Sequence, residues 1–98
     1  MSTEASRVKT QRLEIECEGQ ISYLAYEIDP QGWFVLWHTE VPGTLRGRGL
    51  AGRLVLKAFK YAEEHGLKVE VICPFALGFV SRHPELQQFV SKRPNGIR

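Results

Sequence analysis

Cysteine is scarce in this 98-residue chain: Cys17 and Cys73 stand far apart, and neither has a Cys-x-x-Cys partner. That spacing argues against both a disulfide framework and a zinc site, and no metal site is expected. No apolar run approaches the roughly 18 residues of a membrane-spanning helix, and the N-terminus has no hydrophobic targeting core. The expectation is therefore a soluble, intracellular, cytoplasmic protein. An excess of one charge is lacking too, because 13 Lys and Arg against 11 Asp and Glu leave only +2. So small a bias gives no case for bulk nucleic-acid binding. Internal repeats and low-complexity segments are absent.

What is present is an ordinary globular composition, 43% hydrophobic and 24% charged. At this length the chain has room for a single domain over residues 1–98, which hides roughly 60 to 70% of the unfolded surface. Residues 1–10 are polar and read as a flexible lead-in, and a matching tail covers about 92–98. From Leu13 the chain alternates, with Leu13, Ile15 and Cys17 set against Glu14, Glu16 and Glu18, the period of a half-buried strand. A turn at Glu18-Gly19-Gln20 leads to strand formers over 21–28. The turn signal Asp29-Pro30-Gln31-Gly32 leads to another strand, Trp33 to Val41. Three strands joined by short turns predict an antiparallel meander.

Beyond Pro42-Gly43, the apolar residues Ala51, Leu54, Val55, Ala58, Phe59 and Ala62 recur at three- and four-residue steps. Arg53, Lys57, Lys60 and Glu64 fall on the opposite side, so this is an amphipathic helix, ending at His65 and Gly66. Lys68 to Cys73 is a strand, and Pro74 opens a second helix through Phe75, Phe79 and Val80, which Pro84 interrupts after His83. A last short helix is expected around Leu86, Phe89 and Val90. The fold class is α+β: a meander, then a right-handed strand–helix–strand crossover of α/β type with parallel strands, then short C-terminal helices.

The segment Leu45-Arg46-Gly47-Arg48-Gly49-Leu50-Ala51-Gly52 lies between a strand and a helix start, where backbone N–H groups lack intrahelical partners. Glycines there let the main chain approach an anion, and the helix dipole adds attraction. Arg46, Arg48, Arg53 and Lys57, with no acid among them, suit a small polyanion. Gly47-x-Gly49-x-x-Gly52 matches a dinucleotide pattern, but a meander precedes it and no acid closes the next strand. The Gly-Lys-Ser/Thr of a P-loop is absent as well.

Arg46-x-x-Gly49-x-Ala51 resembles the R/Q-x-x-G-x-G/A signature of the GNAT superfamily of N-acetyltransferases. His38-Thr39-Glu40-Val41-Pro42, Gly66-Leu67-Lys68-Val69, Cys73-Pro74-Phe75 and His83-Pro84-Glu85 follow the small, single-domain GNAT-like members in order. Gly43 departs from that pattern, which usually has a second Pro there. The resemblance implies that the strands Trp33–Val41 and Lys68–Cys73 splay to admit the pantetheine arm of acetyl-CoA. It also implies that the turn Arg46, Gly47, Arg48, Gly49, Leu50, Ala51 and Gly52 takes the pyrophosphate, and that the backbone N–H near Val41 bonds the thioester carbonyl.

Three residues are candidates for chemistry. Cys73 ends a parallel strand before a helix start, where a thiolate is favoured, and small-family members have a Cys there facing the acetyl group. It could equally be a plain buried cysteine. His38 and Glu40, two apart on a strand, share a face, read as that of Phe34 and Leu36, and could relay a proton from an amine or form a polar pair beside the cleft. Phe75 and Phe79 could line the thioester slot or serve the core, Trp33 and Trp37 read as core, and His83 as a helix cap. The function implied is transfer of acetyl from acetyl-CoA to an unidentified amine. The alternatives are an acyl-CoA-binding or sensing module with little turnover, and an interaction domain presenting Arg46 to Lys57 to nucleic-acid phosphates.

Overall fold

A computed structural model describes residues 11–91. The flexible ends expected at 1–10 and 92–98 lie outside them. Strands β1 (Gln11–Cys17), β2 (Gln20–Ile28) and β3 (Trp33–Glu40) form the antiparallel meander. Helix α1 (Leu50–His65) leads to β4 (Lys68–Val71), which pairs parallel with β3, giving the sheet order β1-β2-β3-β4. Helix α2 (Pro74–Ser81) and a 3-10 turn over Pro84–Phe89 follow among the described residues. The α+β class and its crossover stand as the sequence predicts.

The local chemistry accounts for these elements. Glu18 and Gly19 both adopt positive φ, as a two-residue hairpin turn between right-twisted strands requires. Asp29 Oδ1 accepts the amides of Gln31 and Trp33 at 2.9 and 3.0 Å, an Asx turn that starts β3. Helix α1 closes as Gly66 and Leu67 return their amides to the Glu63 and Ala62 carbonyls at 3.4 and 2.9 Å.

Leu54, Val55, Ala58, Phe59 and Ala62 of α1 are buried against Leu24, Phe34 and Leu36 of the sheet. Burying each large side chain stabilises by about 1.5–3 kcal/mol. Tyr26 packs at the edge of this cluster, where burial and then the Tyr61 phenol push its pKa up from the ordinary 10.0. Trp33 is buried as predicted, but on the opposite sheet face beside the Lys68 ammonium, 5.7 Å from its ring centre. Half-buried Trp37 donates its indole N–H to Glu27 Oε1 at 3.0 Å.

Two local features depart from expectation. Tyr26 pairs with Leu36 while Ala25 pairs with His38, so Trp37 is an extra residue that bulges from β3. The bulge reverses the alternation beyond it. Thr39, opposite the fully buried Leu24, takes the face of Phe34 and Leu36. His38 and Glu40 share a face, as predicted, but it is the other one, where His38 lies edge-on to Tyr23 at 6.2 Å. Strand β4 also stops at Val71, two residues short of the predicted Cys73. The Leu36 carbonyl accepts both the Ile72 and Cys73 amides at 3.0 Å, and Pro74 has no N–H to continue the ladder. Past Leu36, β3 runs on to Glu40 without β4 beside it.

Candidate functional site

The fork between β3 and β4 opens into a cleft of about 620 Å³. The end of β3 (His38, Thr39, Glu40), Val41, the turn residues Leu45, Arg46, Gly47 and Gly49, the start of α1 (Leu50, Ala51, Gly52) and Phe75 line it. Gly47 and Gly49 hold φ of 86° and 77°, left-handed values that a side chain would strain. These two residues turn the chain sharply into α1. No side chain caps that helix, and its first residues Leu50, Ala51 and Gly52, whose N–H groups precede the first intrahelical bond, line the cleft. Arg53 is the first residue to return its amide to the Gly49 carbonyl, at 3.1 Å. The basic and dipolar character thus concentrates at one end of the cleft.

Gly52 marks a close approach of two helices. A Cβ placed there would lie 2.8 Å from Phe79 Cε1. Phe79 therefore packs on α1, with its ring 5.9 Å from that of Phe75 and 4.0 Å from His83. The predicted pair divides, since Phe75 lines the cleft and Phe79 supports it from behind. His83 caps α2 as expected, with Nδ1 2.8 Å from the Phe79 carbonyl.

Two turns are tied together across the chain. Arg48 Nη1 donates to Glu18 Oε2 at 2.6 Å, and Gln20 Nε2 donates to Thr44 Oγ1 at 2.8 Å. The β1–β2 hairpin tip thus braces the glycine-rich turn. Arg48 is drawn to Glu18 and is not among the lining residues, unlike Arg46.

At the other end of the cleft, His38 Nε2 lies 2.9 Å from Glu40 Oε1, with both side chains about half exposed. Cys73 is 2% exposed and does not line the cleft. Its Sγ lies 3.0 Å from Thr39 Oγ1, a contact that joins the two diverging strands through side chains. Thr39 was not singled out from the sequence, and nothing in the local sequence marks the bulge that turns it toward Cys73. Leu45, which opens the glycine-rich segment but is not among the expected site residues, is fully buried and also lines the cleft.

A family model described as GCN5-related N-acetyl-transferase matches residues 12–89. Protein NATD1 of Bos taurus is 36% identical over 69 residues, which are 70% of this chain and 60% of that protein. Protein NATD1 of Xenopus tropicalis is 35% identical over 69 residues, 70% of this chain and 62% of its own. The chain thus spans about three fifths of the length of the curated relatives it matches. A crystal structure of a proposed acetyltransferase from Agrobacterium tumefaciens superimposes with a TM-score of 0.58 at 22% identity, over 76% of this chain and 58% of that one. At that identity the likeness is one of fold. The span of the family model includes every residue that lines the cleft.

Proposed function

Because the chain belongs to the GCN5-related N-acetyltransferase family, we propose that it acts as one domain, binds acetyl-CoA in this cleft and transfers the acetyl group to an amine. The observation that carries the reading is the uncapped start of α1, with Arg46 beside it, facing a cleft that continues into the fork of the sheet. The main-chain amides of Gly49 to Gly52 and the Arg46 guanidinium would hold the pyrophosphate oxygens. The pantetheine arm would follow the unpaired edge of β3 past Phe75, with the thioester carbonyl taking the amide near Val41 as negative charge develops on its oxygen.

The His38–Glu40 pair, on the sheet face away from α1, suits a base that takes the proton the amine loses as the amide bond forms. Cys73 enters as a group acting close to the thioester, either as a transient acyl carrier or in support of the departing thiolate. The acceptor would be a small molecule or a protein amine.

Titration with coenzyme A, followed by melting temperature, tests binding. A ligand at 100 times its Kd adds about 2.7 kcal/mol of stability, which raises the midpoint of a domain this size by about 10–20 °C. An unmoved midpoint at saturating cofactor would refute the reading. Thiol release from acetyl-CoA in the presence of an amine panel then separates an enzyme from a module that only binds.

A further inference from the structure

Building on the acetyl-transfer reading, we propose that Thr39 is the catalytic residue that meets the thioester sulfur, and that Cys73 acts through it as a positioning residue and proton source. Three observations converge on this assignment. Thr39 lines the cleft, whereas Cys73 is 2% exposed and does not. The bulge at Trp37 turns the Thr39 side chain to the face on which Cys73 lies. Thr39 Oγ1 and Cys73 Sγ are then 3.0 Å apart, within hydrogen-bond reach.

A hydroxyl carries one donor and two acceptor sites. When Thr39 accepts the Cys73 S–H, its own proton is free to point into the cleft. Thr39 and Val41 both line the cleft two residues apart, so a thioester whose carbonyl meets the Val41 amide would lie along the same stretch of chain as the Thr39 hydroxyl.

The amine nitrogen forms a bond to the acetyl carbon, and the carbon–sulfur bond breaks with its electron pair on the coenzyme A sulfur. That sulfur takes the Thr39 hydroxyl proton while Oγ1 takes the Cys73 thiol proton, leaving coenzyme A as the free thiol. The amine nitrogen gives up one proton to solvent through the His38–Glu40 pair. After the thiol departs, water in the cleft returns one proton to Cys73 through the same hydroxyl. Of the two roles left open for Cys73, this assignment takes the second and excludes the acyl carrier, since Thr39 lines the cleft and Cys73, 3.0 Å from it, does not.

The test uses the full chain in a Cys17→Ser background, so that Cys73 is the sole thiol. Thr39→Val is expected to leave acetyl-CoA affinity within about twofold and to lower kcat by about 10²-fold, with Thr39→Ser restoring most of the loss. Cys73→Ala should lower kcat when Thr39 is present and cost nothing further beside Thr39→Val. Thr39→Gly should speed Cys73 alkylation by iodoacetamide at least about tenfold, as intact mass records, because the screen over a buried thiol is gone.

Normal kcat in Thr39→Val overturns the proposal while leaving acetyl transfer standing, as does an acetyl adduct on Cys73 during turnover. Equal alkylation of Cys73 with and without Thr39→Gly in the Cys17→Ser background also overturns it. Failure of the wild-type chain to bind acetyl-CoA removes the acetyl-transfer reading and this proposal together. A lost kcat that Thr39→Ser does not restore assigns Thr39 a packing role and overturns the catalytic one.

Discussion

Replacing Gly52 with alanine tests how closely α1 and α2 meet at the mouth of the cleft. In an unobstructed helix, Gly→Ala stabilises by about 1 kcal/mol through helix propensity. At position 52 the new methyl carbon would lie 2.8 Å from Phe79 Cε1, so the ring must retreat about 0.7 Å to reach ordinary carbon–carbon separation. The ring has little room to do so, because His83 stacks 4.0 Å away at an interplanar angle of 14°. Overpacking of this kind costs about 1–3 kcal/mol, which leaves a net loss of about 1 kcal/mol and a midpoint lower by about 4–8 °C. Gly78 in α2 is the internal control, since a Cβ there meets only Arg82 Nη1 at 3.5 Å. Gly78→Ala should therefore gain about 0.5–1 kcal/mol. Urea denaturation of both variants should separate them by about 2 kcal/mol, and Phe79→Leu should relieve much of the Gly52→Ala loss. Equal stabilisation by the two alanines would refute the packing argument.

Arg46→Ala should weaken coenzyme A binding by about 1–3 kcal/mol, read by calorimetry, because it removes a charge-assisted contact at the cleft wall. Glu18→Gln frees Arg48 from its 2.6 Å partner, so coenzyme A should bind more tightly and with steeper salt dependence. Folding stability should change by less than about 1 kcal/mol, since both side chains are about half exposed. Tyr26 has a raised folded pKa, so its contribution is fully present below the unfolded value of 10.0 and is lost as pH rises through the folded value. Tyr26→Phe should accordingly flatten the fall in stability above pH 10.0 in alkaline melting curves.

Much of this architecture can be read from residue order, because its causes are local. The apolar period of α1, the Glu18-Gly19 and Asp29-Pro30-Gln31-Gly32 turns and Pro74 at a helix start each depend on neighbours within a few residues. The glycine-rich turn was legible for the same reason. What escaped depends on partners far along the chain. Arg48 reads as a phosphate ligand until Glu18, 30 residues earlier, is seen to hold it. Thr39 gains its place only through a bulge created by pairing with β2, and alternation alone put His38 and Glu40 on the wrong face. Cys73 meets Thr39 across 34 residues, a relation no spacing rule encodes.

The opening between β3 and β4 begins where one carbonyl, that of Leu36, accepts two amides. Peptide groups, not side chains, therefore cut this opening, and every residue type except proline brings its own N–H to positions 72 and 73. A lineage could thus rework the walls, and with them its choice of acceptor, while the gap itself persists. Proline at either position is the substitution such a history should avoid, for it would remove one of the two anchors that hold the gap open.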